Sequence, residues 1–216
     1  IVTLENPIEF LHRDINCSVT QREIGVDTDD FRAGLRAAMR QDPDVVLIGE
    51  LRDAETIDTA MKAAETGHLV ISTLHTPDAV TTLSRVVSMF PPEEQEAARL
   101  RLCDALQAVV SQRLLSRADG RGRVAAVEIL ICTREVRELI KDPSRTADLP
   151  DYVREARDEY GMQTFDQHLM ELVADEVVTY ETALAASTNP ADFEKQMRSV
   201  RRRARTATAT EATPGQ

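Results

Sequence analysis

The 216-residue chain contains no tryptophan, and only 4% of its residues are aromatic. It has no uninterrupted apolar run near the eighteen or so residues that span a bilayer, so the sequence predicts a soluble globular protein. Its three cysteines, Cys17, Cys103 and Cys132, are widely separated. This spacing gives no CxxC metal pattern and no disulfide framework, and it fits a reducing, cytoplasmic compartment.

The chain also lacks an excess of positive charge. It carries 26 Lys and Arg residues against 37 Asp and Glu residues, which gives a formal net charge of −11. Nucleic-acid-binding surfaces are normally basic, so the composition argues against a nucleic-acid partner. The basic run at 201–205 is interpreted as a solvated helix end, and the small, polar residues 206–216 are predicted to be disordered.

Glycine is missing where a phosphate-binding loop would need it. Such loops read GxxxxGK[ST], and none of the eight glycines opens one; no GxGxxG occurs either. The opening residues Ile1-Val2-Thr3-Leu4 already have the pattern of a β-strand. The chain is therefore predicted to begin within a domain, with the phosphate-binding loop expected upstream of Ile1.

Strand-like and helical segments alternate along the first two thirds of the chain. This alternation predicts an α/β core with a parallel sheet. The predicted strands are 1–4, 45–48, 69–74 and 124–130, and the predicted helices are 31–40, 54–66, 79–89 and 93–116. From about residue 133 onward, one helical pattern follows another.

Two of the apolar runs end in residues that can do chemistry. The run at 45–48 leads through Gly49 to Glu50, and the run at 69–74 ends at His75. Ligands of open parallel sheets bind outside the carboxyl ends of the strands, so we expect Glu50 and His75 at one edge, beside a phosphate group. Glu50 is predicted to orient or deprotonate an attacking water. A helix-capping or surface acid is the alternative.

Two further residues flank these strands. Glu5 ends the first run, and beside Glu50 it is a candidate second carboxylate for Mg²⁺ or water, although an ordinary loop acid is the alternative. His68 precedes the run that His75 follows, so the two histidines are expected about 20 Å apart, at opposite strand ends. They are therefore not expected to share a metal ion, and a structural or subunit-contact role is predicted for His68.

Two arginines are candidates for contacts with a nucleotide or a neighbouring subunit. Arg52 follows Glu50 by two residues, and Arg36 lies on the helix before the 45–48 strand. Guanidinium groups bind phosphates and carboxylates equally well, so ordinary salt bridges are the alternative.

At this point the residues resemble a known family. Four stretches are similar to the motor domain of type IV pilus retraction ATPases, the twitching-motility proteins of the secretion-ATPase superfamily. They are an aspartate-box-like stretch at 3–10, a Walker-B-like stretch at 42–53, a histidine-box-like stretch at 66–76, and a C-terminal helix motif linked to retraction at 134–141.

The resemblance implies a fold and a function. It implies an α/β, RecA-like P-loop NTPase core over 1–131, incomplete at the N-terminus, followed by a helical subdomain over 132–205 and a tail over 206–216. It further implies ATP and Mg²⁺ as cofactors and a homohexameric ring. The ring would work at the cytoplasmic face of the inner membrane, peripheral to it, against a pilus platform protein, and ATP hydrolysis would drive pilus retraction.

The resemblance also assigns roles to individual residues. Glu50 would be the acid that activates water, and Glu5 would help to hold Mg²⁺ or the water. His68 and His75 would be the histidine-box residues, with His75 nearer the nucleotide. The retraction helix would comprise Arg134, Glu135, Val136, Arg137, Glu138, Leu139 and Ile140.

Two features bear on alternatives within this superfamily. Asn6 stands where the aspartate box usually has aspartate, which weakens a metal role for this stretch. Many pilus-assembly and type II secretion ATPases carry a four-cysteine zinc insertion, and three isolated cysteines argue against it. An assembly or secretion ATPase stays an alternative, as does a non-catalytic remnant that acts as an interaction subunit.

Overall fold

The structure is a computed structural model that describes residues 1–199. The basic run at 201–205 and the predicted tail at 206–216 lie outside the described residues. The strands are β1 (Val2–Glu5), β2 (Thr20–Glu23), β3 (Val45–Ile48), β4 (Leu69–Ser72), β5 (Ala108–Ser116) and β6 (Arg123–Ile131). The helices are α1 (Phe31–Ala38), α2 (Ala54–Glu65), α3 (Ala79–Ser88), α4 (Gln95–Ala105), α5 (Arg134–Lys141), α6 (Leu149–Glu155), α7 (Arg157–Tyr160), α8 (Phe165–Ala174) and α9 (Tyr180–Ala186), with a 3-10 helix at Thr146–Asp148.

The first four strands form one parallel sheet in the order β2-β1-β3-β4. The register pairs Thr3 with Gln21 on one side and with Leu47 on the other. This sheet and its helices confirm the predicted α/β class. Strand β2 was not predicted, because its residues Thr-Gln-Arg-Glu lack the apolar alternation that marks a strand.

One face of the sheet is closed by α1 and α2. Leu4, Val46 and Ile48 have no exposed surface, and they form a core cluster with Phe31 and Leu35 of α1. At about 25 cal/mol per Å² of buried apolar area, such side chains provide the main stabilisation of the sheet. Burial of this sheet face determines which side chains of each strand point toward the two helices.

A glycine allows α1 to lie close to β1. A Cβ added at Gly34 would come within 2.8 Å of the Leu4 Cδ2 atom and 3.0 Å of the Thr28 Cγ2 atom. Any larger residue would push the helix outward or displace the Leu4 side chain. The tight packing therefore ties α1 to the strand that ends in Glu5.

Aspartate caps start the helices that follow the strands. The Asp30 and Asp53 side chains accept from the backbone amides of Ala33 and Thr56, each at 2.7 Å, at the first turns of α1 and α2. Such caps contribute about 1 kcal/mol each. After α2, Gly67 adopts a φ of 99°, in the left-handed region that glycine favours just beyond the end of a helix.

The long helix predicted over 93–116 is wrong. Helix α4 ends at Ala105, and the chain continues as β5, in which Val109 and Ser111 are buried while Val110 is 64% exposed. Buried and exposed side chains alternate in this segment with the two-residue period of a strand rather than with helical spacing. The pairing of β5 with β6 selects the strand over the helix for residues 108–116. The sequence of this segment alone does not reveal that pairing.

The chain divides into two compact units. The first contains Ile1–Ala108 and Cys132–Leu149, and the second contains Val109–Ile131 and the residues from Pro150 onward. This division differs from the predicted boundary at residue 132, because α5 belongs to the unit of the parallel sheet. The strand predicted at 124–130 exists as β6, but it pairs with β5 in a separate two-stranded sheet.

The second unit has a core of its own. Phe165 and Leu169 of α8 are buried with Ala126 of β6 and with Phe193, which lies in a further helical stretch at 190–199. The Arg113 guanidinium lies 3.9 Å above the centre of the Phe165 ring, a cation–π geometry. Across residues 1–199, the structure contains no helix with the length and apolar character that crossing a bilayer requires.

Candidate functional site

The carboxyl edge of the parallel sheet carries three of the residues that the sequence singled out, Glu5, Glu50 and His75. Glu5 is the last residue of β1, Glu50 follows β3 by two residues, and His75 follows β4 by three. The Nε2 atom of His75 lies 3.7 Å from the Oε2 atom of Glu50. The expected convergence of Glu50 and His75 on one edge is thus confirmed, because β3 and β4 are adjacent and parallel.

The backbone around Glu50 is fixed by its neighbours on both sides. The Gly49 amide donates to the Leu4 carbonyl at 2.8 Å, and the Leu51 amide donates to the Thr73 carbonyl at 3.1 Å. A Cβ at position 49 would lie 3.2 Å from the Leu4 carbonyl oxygen, so glycine suits this close approach. Strand pairing therefore continues past the strand ends and holds Glu50 between β1 and the segment after β4.

Two hydroxyl groups strengthen this attachment. Ser72 Oγ donates to the Ile48 carbonyl at 2.7 Å, and Thr73 Oγ1 donates to the Gly49 carbonyl at 2.5 Å. Both bonds run from the end of β4 to the residues directly before Glu50. Neither hydroxyl was predicted to belong to the site, because serine and threonine residues at strand ends form no recognisable sequence pattern of their own.

The Glu50 carboxylate has cationic neighbours. Arg52 donates a hydrogen bond to Glu50 Oε1 and forms an ion pair with it. This bond and the charge of Arg52, aided by His75, hold the pKa of Glu50 below its usual range, although partial burial opposes the shift. The pKa of Arg52 is raised in turn. Glu50 is therefore ionised at neutral pH and can accept a proton or orient a water.

Glu5 is held by neutral donors instead. Its Oε1 atom accepts from Thr3 Oγ1 at 2.6 Å and from Gln21 Nε2 at 2.8 Å. Within residues 1–199, no Lys, Arg or His side chain forms an ion pair with Glu5. No sequence pattern indicates the contact between Gln21 and Glu5, because the contact depends on strand β2, which was not predicted.

A divalent cation is compatible with this edge. Mg²⁺ prefers oxygen ligands and is commonly bound by one or two carboxylates together with substrate phosphates and waters. Glu5 offers Oε2, which has no hydrogen-bond donor among the described residues. In the described part of the chain, no cluster of three or more His, Cys, Asp or Glu side chains could hold a metal by itself. Glu5 would thus hold Mg²⁺ only together with phosphate oxygens.

His68 lies at the opposite end of β4 from His75. Its Nδ1 atom is 3.0 Å from the Ala63 carbonyl oxygen and 3.2 Å from Thr66 Oγ1. These contacts attach the ring to the C-terminal end of α2. The placement agrees with the expectation that the two histidines occupy opposite strand ends.

Arg36 has an acidic neighbour on α2. Its Nη2 atom lies 4.0 Å from Glu55 Oε1, and Arg32 also forms an ion pair with the same carboxylate. Arg36 is 64% exposed at its side chain. This contact matches the salt-bridge alternative, and contact with a nucleotide or a neighbouring subunit stays a prediction.

The predicted retraction helix forms as α5 and is strongly two-sided. Val136, Leu139 and Ile140 are buried. Arg134, Glu135 and Glu138 are exposed, and Arg137 is half-buried and donates from Nε to the Cys132 carbonyl at 3.4 Å. The Thr133 side chain caps the helix by accepting from the Val136 amide at 3.3 Å. At the other end, Arg99 of α4 donates to the Ile140 carbonyl at 3.1 Å.

The charged side of α5 is linked by ion pairs. Glu138 contacts Lys141 at 2.8 Å, and Glu135 lies 3.6 Å from Arg145. The pKa of Glu138 is lowered chiefly by its hydrogen bond from Lys141. Solvent screens exposed pairs of this kind, so they contribute little to the stability of the helix. The polar members of the motif are Arg134, Glu135, Arg137 and Glu138.

The buried cysteines are not reactive groups. Burial, together with the neighbouring Cys132, raises the pKa of the Cys103 thiol to about 11. Burial also raises the pKa of Cys132. Reactive cysteines need a thiolate, so both thiols act as packed apolar side chains.

Comparison with known proteins agrees with these features. The family described as "Type II/IV secretion system protein" matches residues 1–202. The chain is 46% identical over 193 residues to the type IV pilus retraction ATPase PilT of Pseudomonas aeruginosa, which covers 89% of this chain and 55% of that protein. It is also 46% identical over 189 residues to a twitching motility protein of Neisseria gonorrhoeae, covering 88% of this chain and 50% of the relative.

A solved structure shares the fold. The crystal structure of the pilus retraction motor PilT with bound ADP superposes with a TM-score of 0.79 at 44% sequence identity. The match covers 90% of this chain and 54% of that one, so the chain spans about half the length of the relatives it matches. Since the family match covers nearly the whole sequence, the chain belongs to the type II/IV secretion system protein family.

Proposed function

We propose that this chain is part of an ATP-hydrolysing motor that retracts type IV pili in twitching motility. The observation that carries the proposal is the meeting of Glu50 and His75, 3.7 Å apart, at the carboxyl edge of the parallel sheet. Such edges bind nucleotides in open α/β sheets. The relatives named for pilus retraction and twitching motility match almost nine tenths of the chain.

In this proposal, the two acids have separate tasks. Glu50 orients the attacking water and accepts its proton, and its ionised state at neutral pH suits that task. Glu5 would hold Mg²⁺ together with phosphate oxygens, and the ion would supply positive charge to offset that of the transferring phosphate. His75 lies on the same edge, where it contacts the terminal phosphate.

The phosphate-binding loop has to be supplied from outside these 216 residues, since no GxxxxGK[ST] stretch occurs in them. The proposal therefore concerns the longer protein. That protein assembles as a homohexameric ring at the cytoplasmic face of the inner membrane and contacts a pilus platform protein. The exposed, charged side of α5 is the surface through which retraction is exerted.

The test uses the protein at the length of its relatives. The purified protein is expected to hydrolyse ATP in the presence of Mg²⁺, and its gene is expected to restore twitching to a strain that cannot retract its pili. A strain that assembles pili but still fails to retract them would exclude the retraction role. Restored pilus assembly in an assembly-deficient strain would favour an assembly ATPase instead.

A non-catalytic interaction subunit is the second candidate. The missing GxxxxGK[ST] stretch favours it, because backbone and lysine contacts to the β- and γ-phosphates are lost without that loop. Calorimetry of the 216-residue chain with ATP is expected to show weak binding in either case. Hydrolysis by the longer protein separates the two candidates, since an interaction subunit has none.

A further inference from the structure

Two residues to which the motifs assign no role hold the Glu5 carboxylate in place. Thr3 Oγ1 and Gln21 Nε2 both donate to Oε1 of Glu5, at 2.6 and 2.8 Å. We propose that Thr3 and Gln21 are positioning residues, together called the Glu5 clamp, which orient this carboxylate for a divalent cation. The inference rests on the proposed function, because it names how the same edge prepares for Mg²⁺.

The strand register explains why these two residues meet at Glu5. Thr3 and Glu5 are two positions apart on β1, so their side chains leave the same face of the sheet. Gln21 lies opposite Thr3 on the neighbouring strand β2, and its longer side chain reaches one step further along β1. Thr3 is only 3% exposed, so its hydroxyl does not exchange this bond for water.

The clamp holds the carboxylate without neutralising it. A hydroxyl and an amide donate hydrogen bonds but carry no charge, and both bonds go to Oε1. An arginine or lysine in the same place would compete with a cation for the negative charge. The Oε2 atom is left without a protein donor in the described chain, which suits a hard cation that binds oxygen.

Gln21 is itself held in one orientation. Its Nε2 atom also donates to the Phe10 carbonyl at 2.9 Å, and its Oε1 atom accepts from the His12 amide at 2.7 Å. The His12 amide is a donor and requires the amide oxygen of Gln21, so the nitrogen has to face Glu5. Both side-chain protons are used, and the group cannot rotate without losing all three bonds.

The experiment compares matched substitutions in the ATP-hydrolysing protein. Thr3→Val keeps the shape and removes the hydroxyl, whereas Thr3→Ser keeps the hydroxyl. Gln21→Met keeps the length and removes the amide. Gln112→Met, at an exposed glutamine on β5, is the control for the same change on another strand. The readouts are the Mg²⁺ concentration that gives half-maximal hydrolysis and the position of Glu5 in crystals grown with Mg²⁺.

We expect Thr3→Val and Gln21→Met each to raise the half-maximal Mg²⁺ concentration about tenfold, since each removes a hydrogen bond to a charged group. The rate at saturating Mg²⁺ should fall less. Thr3→Ser and Gln112→Met should behave like the parent. In the crystals, the Glu5 carboxylate should turn away from its parent position in the first two variants only.

The following results would contradict the proposal that Thr3 and Gln21 position Glu5. An unchanged Mg²⁺ requirement in both Thr3→Val and Gln21→Met, with activity lost only in step with the folded fraction, would leave the two residues a purely structural role. If the parent protein hydrolyses no ATP, the proposed function fails, and the crystal position of Glu5 alone decides about the clamp. Should Thr3→Val not fold, Gln21→Met on the partly exposed strand β2 still provides the test.

Discussion

Glu5 and Glu50 end neighbouring strands at the same edge of the sheet, yet their carboxylates are stabilised in opposite ways. Glu5 accepts hydrogen bonds from an alcohol and an amide. Glu50 is paired with the guanidinium of Arg52 and lies near His75. One acid therefore keeps its full negative charge toward solvent, and the other shares it with a cation.

This difference teaches that position on the edge does not by itself assign a role. A carboxylate with neutral donors keeps its attraction for a divalent cation. A carboxylate with a cationic partner is held in its ionised form with a lowered pKa, so it remains a hydrogen-bond acceptor that can orient a water at neutral pH. The following predictions test whether the two acids differ in this way.

Removing each acid in turn should have the largest effect. In the ATP-hydrolysing protein, Glu50→Gln should lower the hydrolysis rate by at least about 10²-fold at every Mg²⁺ concentration and spare nucleotide binding, because it removes the general base. Glu5→Gln should lose activity that excess Mg²⁺ partly restores. Steady-state rates over a Mg²⁺ series check both. If the hydrolysis rates of the two variants depended on Mg²⁺ in the same way, Glu5 and Glu50 would not have separate roles.

Loosening the backbone before Glu50 should have the next largest effect. Thr73→Val removes the hydroxyl bond to the Gly49 carbonyl, and we expect a roughly tenfold lower rate, since one hydrogen bond contributes about 1 kcal/mol and also orients Glu50. Thr73→Ser should retain the rate. Hydrogen exchange at the Leu51 amide should quicken in the valine variant alone. A Mg²⁺ requirement that rises as in the Glu5 variants would contradict separate control of the two acids.

Replacing the cation beside Glu50 should shift its titration. In Arg52→Gln, the pKa of Glu50 should rise toward its ordinary value, because the main cause of its lowering is gone. Because the pKa of Glu50 is lower in the folded state than in the unfolded state, its ionisation stabilises the fold at pH values above the unfolded-state pKa. This stabilisation is lost as the pH falls through the folded-state pKa. In Arg52→Gln, the folded-state and unfolded-state pKa values of Glu50 should lie closer together. The free energy of unfolding should therefore depend on the ionisation of Glu50 over a narrower range of acidic pH. Carbon-13 NMR titration of the carboxyl group checks this, with Arg52→Lys expected to keep most of the shift.

The two histidines should give the smallest effects. His75 is 91% exposed at its side chain, so His75→Gln should change the free energy of unfolding by less than about 0.5 kcal/mol. His68→Gln removes the ring contact with the Ala63 carbonyl and should destabilise by about 1 kcal/mol. Urea unfolding measures both. A larger loss for His75 would mean that its contact with Glu50 stabilises the fold.

Sequence reasoning reached the convergence of Glu50 and His75 because each follows an apolar run, and runs of this kind are local signals. It did not reach Gln21 or the hydroxyl of Thr73, since their contacts with Glu5 and Gly49 depend on pairing between distant segments. The same limit explains the error at 93–116, where local spacing fitted a helix and cross-strand pairing produced β5.

Strand β4 ends the parallel sheet, with β3 as its only neighbour among the described residues, and its side chains Leu69 and Ile71 are about half exposed. An apolar edge strand of this kind promotes association, because its amide and carbonyl groups can form hydrogen bonds with an extended segment of another chain. The 216 residues prepared alone are therefore expected to self-associate at high concentration. Placing a lysine at position 71 is the simplest way to keep such a preparation in solution.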